Sequence, residues 1–305
     1  MVVKLPYTLH TRYRSIAIAW TIILIPPIFI NLGLFYGLWY GRPQMDRILV
    51  LTLPTAILGI FTIIAILERI YKLVQPSPEY RPVNSPRYAL DIFQWGYFGA
   101  LILISSLISS TLLRDDRDHD GHEYQIRLLS LPASVLMYYL ATLTALSLLL
   151  NSLSVKLPFR FGSSEPGNVV KPAIFYIVED IVAVDGNGGL SFRTAFNARY
   201  ESSVVFREMI WKLSLAWCLA FYVLAGAFTA LVFWLEVDAV YAVGWVAPFP
   251  LAGALAVWTI SFVRAELREE RRLEEAGEDG GRNGEENGAV RVDGDERAPL
   301  LGSVS

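Results

Sequence analysis

Residues 92–113 read IFQWGYFGALILISSLISSTLL, without a single Asp, Glu, Lys, Arg or His. A helix rises about 1.5 Å per residue and the hydrocarbon layer is about 30 Å thick, so roughly 20 such residues cross a bilayer. The stretch lacks the two-residue alternation of a barrel strand, and backbone groups in hydrocarbon must pair within the protein, so it reads as a transmembrane helix. Five more runs of the same kind flank it: Ile16–Tyr40, Ile48–Leu67, Leu128–Leu150, Leu213–Leu235 and Ala239–Val263. The expected fold class is therefore all-α, an integral membrane bundle of six transmembrane helices with a cytosolic helical connection and a disordered acidic tail.

Composition agrees. Of the 305 residues 54% are hydrophobic and only 18% charged, and the mean hydropathy is +0.42, beyond what a soluble fold of this size carries. The charges concentrate in connections and the last forty residues, which disfavours a soluble enzyme and a nucleic-acid binder. The single cysteine, Cys218, forms no internal disulfide and no thiolate metal cage. No cofactor is expected.

The first run is too long for a secretory leader and reads as a retained signal anchor. Pro26, Pro27, Pro54 and Pro132 remove backbone donors, so kinks are expected at them. Lys and Arg number eighteen in the N-terminal segment, the second and fourth connections and the stretch just after the last run, against five in the other three connections. Cytosolic segments hold the excess, so both termini should face the cytosol. The chain divides into a cytosolic N-terminus (1–15), a four-span region (16–150), a cytosolic connection with amphipathic helices (151–212), a two-span hairpin (213–263) and a cytosolic helix extension with a disordered tail (264–305).

The spans themselves contain no ionisable group. Buried charges mark proton relays, ion paths and voltage sensors, and axial histidines hold transmembrane haem, so all of these are disfavoured. A path for a neutral solute would be lined by Asn31, Gln94 and the serines of residues 92–113. Ser105 with Ser109 and Ser106 with Ser110, like Gly96 with Ala100 and Gly226 with Ala230, stand four apart and suit close helix packing. Trp20, Trp39, Tyr40, Trp95, Trp211, Trp234, Tyr241 and Trp245 fall near span ends and read as interfacial anchors.

Residues 114–123, RDDRDHDGHE, hold Asp115, Asp116, Asp118, His119, Asp120, His122 and Glu123. These could offer oxygen and imidazole to a divalent cation, but the spacing matches no defined motif and the stretch reads first as a solvated turn. In the long connection Pro172 suits the first turn of a helix, with Ile174, Ile177, Val178 and Ile181 on one apolar face and Glu179 and Asp180 turned toward water or a partner. DGNGG at 185–189 must turn the chain, three glycines permitting positive φ, and a second helix begins near Ser191. Asp185 and Asn187 open like a calcium loop, but Gly189 and Phe196 stand where ligands belong. Glycines ahead of a helix, with Arg193 and Arg199 nearby, suggest an anion contact, without the Lys-Ser/Thr of a phosphate loop. Glu179, Asp180 and Asp185 are the candidate acid or base groups; no nucleophile is marked by spacing.

The run IVEDIVAVDGNGG, followed by NARYESS, FREM and VRAELREE, resembles a group of multi-span membrane proteins common in filamentous fungi, over about 171–270. The resemblance implies that the connection and the final hairpin form one unit with no cofactor, and leaves the first four spans and the tail outside it. In the tail, Glu296, Leu300 and Leu301 have the spacing of an acidic dileucine signal, read by cytosolic adaptor proteins and directing a protein among endosomal, vacuolar and plasma membranes. The functional expectation is a non-enzymatic membrane scaffold whose partners are the lipid bilayer and adaptors. The alternatives are a passive transporter or channel for a small neutral solute and a membrane-embedded enzyme using Glu179, Asp180 or Asp185.

Overall fold

The structure, a computed structural model, describes residues 26–42, 44–45, 47–113 and 119–293. It is all-α, with isolated β-bridges but no strand among the described residues. After a π-helical turn at Pro26–Asn31 the helices are α1 (Leu32–Gly41), α2 (Arg47–Val74), α3 (Ile92–Leu112), α4 (His119–Leu129), α5 (Pro132–Ser152), α6 (Ala173–Asp180), α7 (Gly189–Ser202), α8 (Val204–Trp234), α9 (Val237–Val246) and α10 (Pro248–Asp293).

Among the described residues five helices are long and apolar enough to cross a membrane: Leu49–Val74, Ile92–Leu112, Pro132–Ser152, Val204–Trp234 and Ala239–Glu270. Of the first apolar run, 16–25 lies outside the described residues, and the remainder forms the π-helical turn and α1. Trp20 lies outside them too.

Several boundaries differ from the sequence reading. The expected turn at 114–123 is partly helix, because α4 begins at His119, and the fourth apolar run is split between α4 and α5. Pro132 starts α5 instead of kinking it: at N1 its fixed φ suits the helix and its missing N–H would have had no partner. Pro54 does lie inside α2, where the Thr55 hydroxyl bonds back to the Leu51 and Thr52 carbonyls at 3.3 and 2.9 Å. The sixth run is two helices that meet at Ala247, which keeps helical angles; Pro248, having no N–H to donate to the Gly244 carbonyl, interrupts the hydrogen-bond ladder and starts the next helix.

The chain forms two compact units, divided after Ala256. In the first, Phe35, Val50, Leu51, Ile126, Leu129, Val232, Val240 and Tyr241 make one buried cluster joining α1, α2, α4, α8 and α9. Tyr241 is thus a core residue and not an interfacial anchor: its ring stacks 3.9 Å from Phe35, and its hydroxyl donates to Asn31 Oδ1 at 3.0 Å. Trp95 and Trp234 are exposed. α5 and α8 pack along their lengths through Met137, Ala225 and Phe228, with Thr142 and Tyr222 hydroxyls 3.1 Å apart. Tyr139 of α5 donates to the Gly96 carbonyl at 3.1 Å. Ser105, Ser106, Ser109 and Ser110, in contrast, all point away from the rest of the chain, because α3 buries the opposite face, with Gln94, Ala100 and Thr111.

The second unit, from Val257, contains the remainder of α10, which is helical through Asp293. The tail expected to be disordered is thus helical as far as Asp293. The helix continues because extending a formed helix adds one hydrogen bond per residue and needs no new nucleus, even where glycines cost about 1 kcal/mol each.

Candidate functional site: a buried charge cluster under the bundle

The long connection starts with a loop tied by the bridges Lys156–Val169 and Phe161–Ser164 and then forms α6, a π-helical turn at Ile181–Asp185, and α7. Aromatic contacts weld these pieces: Phe175 stacks 4.9 Å from Phe196 and meets Tyr200 at 4.8 Å, while Phe196 meets Phe206 at the start of α8 at 5.5 Å. In the turn between α6 and α7, the left-handed backbone falls at Asn187 and Gly189, not at Gly186 or Gly188.

The face of α6 that is buried carries Ile174, Phe175, Tyr176, Glu179 and Asp180. The expectation that Glu179 and Asp180 turn toward water or a partner is therefore corrected: they are 0% and 1% exposed and face inward to the chain's own side chains, and it is Ile181 that is exposed. The reason is a set of cations brought from elsewhere in the chain. Arg193 of α7, itself 0% exposed, donates to Asp180 Oδ1 at 2.5 Å and lies 3.6 Å from Glu179 and 3.4 Å from Asp91. Arg69, near the end of α2, donates to Asp91 Oδ2 at 2.6 Å and pairs with Asp185. Asn197 donates to Glu179 Oε1 at 2.8 Å, and Lys171 donates to Asn197 Oδ1 at 2.6 Å while its ammonium sits 4.3 Å above the Phe175 ring.

Two of these carboxylates cap one helix. Asp91 is the N-cap of α3, accepting from the Gln94 backbone at 2.8 Å, and Asp180 accepts from the Phe93 backbone at 3.0 Å. Otherwise unpaired N–H groups of the first turn are satisfied, and negative charge sits at the favourable end of the dipole. Gln94 itself is fully buried, and neither of its amide atoms makes a hydrogen bond.

Burial raises the Asp180 carboxyl to about 7, with the Asp91 charge adding to the rise and Arg193 opposing it. Burial also raises Glu179, against the pull of Arg193, and Asp185, against Arg69. It lowers Lys171, against Glu179 and Glu201. Arg193, despite its burial, is held protonated by Asp180, Glu179 and Asp91.

The cluster joins the connection to the segment between α2 and α3. Arg193 reaches the Tyr80 carbonyl at 3.3 Å, Arg160 the Val83 carbonyl at 2.6 Å, and the Val83 N–H donates to Ser163 Oγ at 3.2 Å. Two connections assigned by charge counting to one side of the membrane are thus in contact.

The three carboxylates singled out from sequence are brought together, with Glu179 and Asp180 in the centre and Asp185 at the half-exposed edge. Arg69 and Asp91 were missed, although DIFQ at 91–94 has capping-box spacing and marks Asp91 as a cap. Arg193, read as a candidate anion contact, is consumed by the carboxylates, and Arg199 lies 5.0 Å over the Phe206 ring. An open depression lies on α7, lined by Leu190, Ser191, Thr194, Ala195 and Ala198; none of the clustered carboxylates lines it. Asp115, Asp116, Asp118, Glu296, Leu300 and Leu301 lie outside the described residues; His119, Asp120, His122 and Glu123 fall in the first turns of α4. Among the described residues no three His, Cys, Asp or Glu gather as metal ligands.

The family described as "Domain of unknown function (DUF8766)" matches residues 2–273. No curated protein and no solved structure matches the chain. The match takes in the first four apolar runs, which the resemblance over 171–270 left outside, and ends before the distal tail. With most of its length covered, from the N-terminal segment through the last span, the chain belongs to this family.

Proposed function

We propose that the chain is a six-span integral membrane protein, the run Ile16–Tyr40 supplying the sixth span, with both termini in the cytosol, and that it works as a non-enzymatic scaffold. The observation that carries this reading is the use made of the connection's carboxylates. Glu179, Asp180 and Asp185 are tied to Arg69 and Arg193, fastening the connection to the ends of α2 and α3. What the connection offers outward is the small, uncharged face of α7, which suits contact with another protein more than chemistry. A filamentous-fungal origin and adaptor recognition of Glu296, Leu300 and Leu301 belong to the same reading and rest on sequence alone.

The test places a photo-crosslinking residue at Ser191, Thr194 or Ala198 in intact cells. A scaffold yields a discrete adduct that competes with excess uncrosslinkable protein; no adduct at any of the three overturns the reading. Purified protein in vesicles should leave small neutral solutes as impermeant as empty vesicles do, and a protein-dependent flux would replace the scaffold with the passive carrier.

A further inference from the structure

The charge cluster is unbalanced. Four carboxylates, Asp91, Glu179, Asp180 and Asp185, face three cations, Arg69, Arg193 and Lys171; Lys171 is shared with Glu201 at 4.0 Å, and the next cation, Lys72, is paired with Glu68 at 3.3 Å. Only Asp185 is substantially exposed, so the surplus falls on the buried groups. Arg193 divides its donors among Asp91, Glu179 and Asp180, and Glu179 Oε2 is buried without a hydrogen bond. An ionised carboxylate in that position is costly, and a proton is the smallest species that removes the excess.

We propose that the Glu179–Asp180 pair holds one exchangeable proton and works as a pH-sensitive latch between the connection and the ends of α2 and α3, closed while the proton is present and loosened when it leaves. Besides the members of the cluster, the connection's own loop brings the Ser163 hydroxyl beside Glu179, and α7 presents Glu201, 4.0 Å from the Lys171 ammonium. α2 presents Arg69, with Lys72 beyond it toward Asp185. α3 presents Asp91. α6 presents Tyr176 beside the pair, with Lys171 ahead of it. The segment before α3 supplies the Tyr80 carbonyl and Glu79, whose side chain lies against Gly189. Arg207 of α8 is bound to the Tyr200 and Glu201 carbonyls. No histidine belongs to the set, so response near neutrality falls to the carboxyl pair.

The sign follows from linkage. A carboxyl whose folded value stands above its unfolded one, about 4, favours the folded form most at low pH. That advantage is lost as pH rises toward and through the folded value, about 7 for Asp180. Between pH 6 and pH 8 one such group changes the closed-to-open ratio about tenfold. The inference concerns the latch itself and stands whether or not the scaffold reading holds.

Hydrogen exchange of the full chain in nanodiscs, corrected for the intrinsic pH dependence of exchange, tests it. Amides of α6 and α7 should lose about tenfold protection from pH 6 to pH 8, while those of α5 and the membrane part of α8 do not. Asp180→Asn and Glu179→Gln each bring the cluster to three carboxylates against three cations, so the slope should flatten. Flattening by one variant alone supports the latch and assigns the proton to that residue. Difference infrared spectra of the unaltered chain should show a protonated-carboxyl stretch at pH 6 that is gone by pH 8. Protection of α6 and α7 that is constant across this range, or an unchanged slope in both variants, overturns the proposal.

Discussion

Arg193 is the residue on which the connection turns. Its guanidinium is wholly buried and answers three carboxylates from two elements. Removing one partner of a buried ion pair strands the rest, which costs about 3–5 kcal/mol. Arg193→Met should lower the unfolding temperature in detergent and expose the 151–203 segment to limited proteolysis. A variant with unaltered melting and cleavage would mean that the cluster contributes little. Gln94 is the opposite case. Its buried amide makes no hydrogen bond, so Gln94→Met removes a desolvation penalty of about 1–3 kcal/mol without breaking a partner. Thermal unfolding should show equal or greater stability, and a clear loss would reveal a polar contact that the amide makes in the working protein.

At the scale of elements, the helices obey local rules until close approach intervenes. Ser203 caps α8, accepting from the Phe206 N–H at 3.1 Å, and Pro172 immediately precedes α6, as its residue type suits. The seam between α9 and the α4–α5 junction is decided by space. A Cβ on Gly244 would lie 2.4 Å from the Ser130 carbonyl oxygen, and Trp245 Nε1 donates to the Leu129 carbonyl at 3.1 Å. Gly244→Ala must push α9 away and should cost about 1–3 kcal/mol. The same change at Gly253, where a Cβ would meet nothing within 4 Å, should leave the melting temperature within a degree or two of the parent. If both variants melt alike, the seam is not tight. The periodicity of α6 misled for a related reason. Of the expected apolar face Ile174 is buried, Ile177 and Val178 are half-buried, and Ile181, in the turn after α6, is exposed, because α6 turns its acidic positions inward toward Arg193, with Arg69 at the Asp180 carbonyl.

For the whole molecule, contact between the 75–91 segment and the long connection requires both to emerge on one side of the bilayer. Cys218 is buried, so in a Cys218→Ser background single cysteines at Asn84 and Glu165, both exposed, should react with an impermeant thiol reagent from the same side of sealed vesicles. Opposite accessibility would refute the arrangement. The sequence alone determined that the chain is a helical membrane protein and roughly where its apolar helices run, because hydropathy is a local sum and hydrocarbon forces each segment to satisfy its own backbone. Capping by Asp91 was legible in the same local way. Tertiary structure alone decided the charge cluster: Arg69 meets Asp185 across 116 positions and Arg193 meets Asp91 across 102. No local pattern encodes such pairs, since the price of burying each charge is met only by a partner that folding brings from far along the chain.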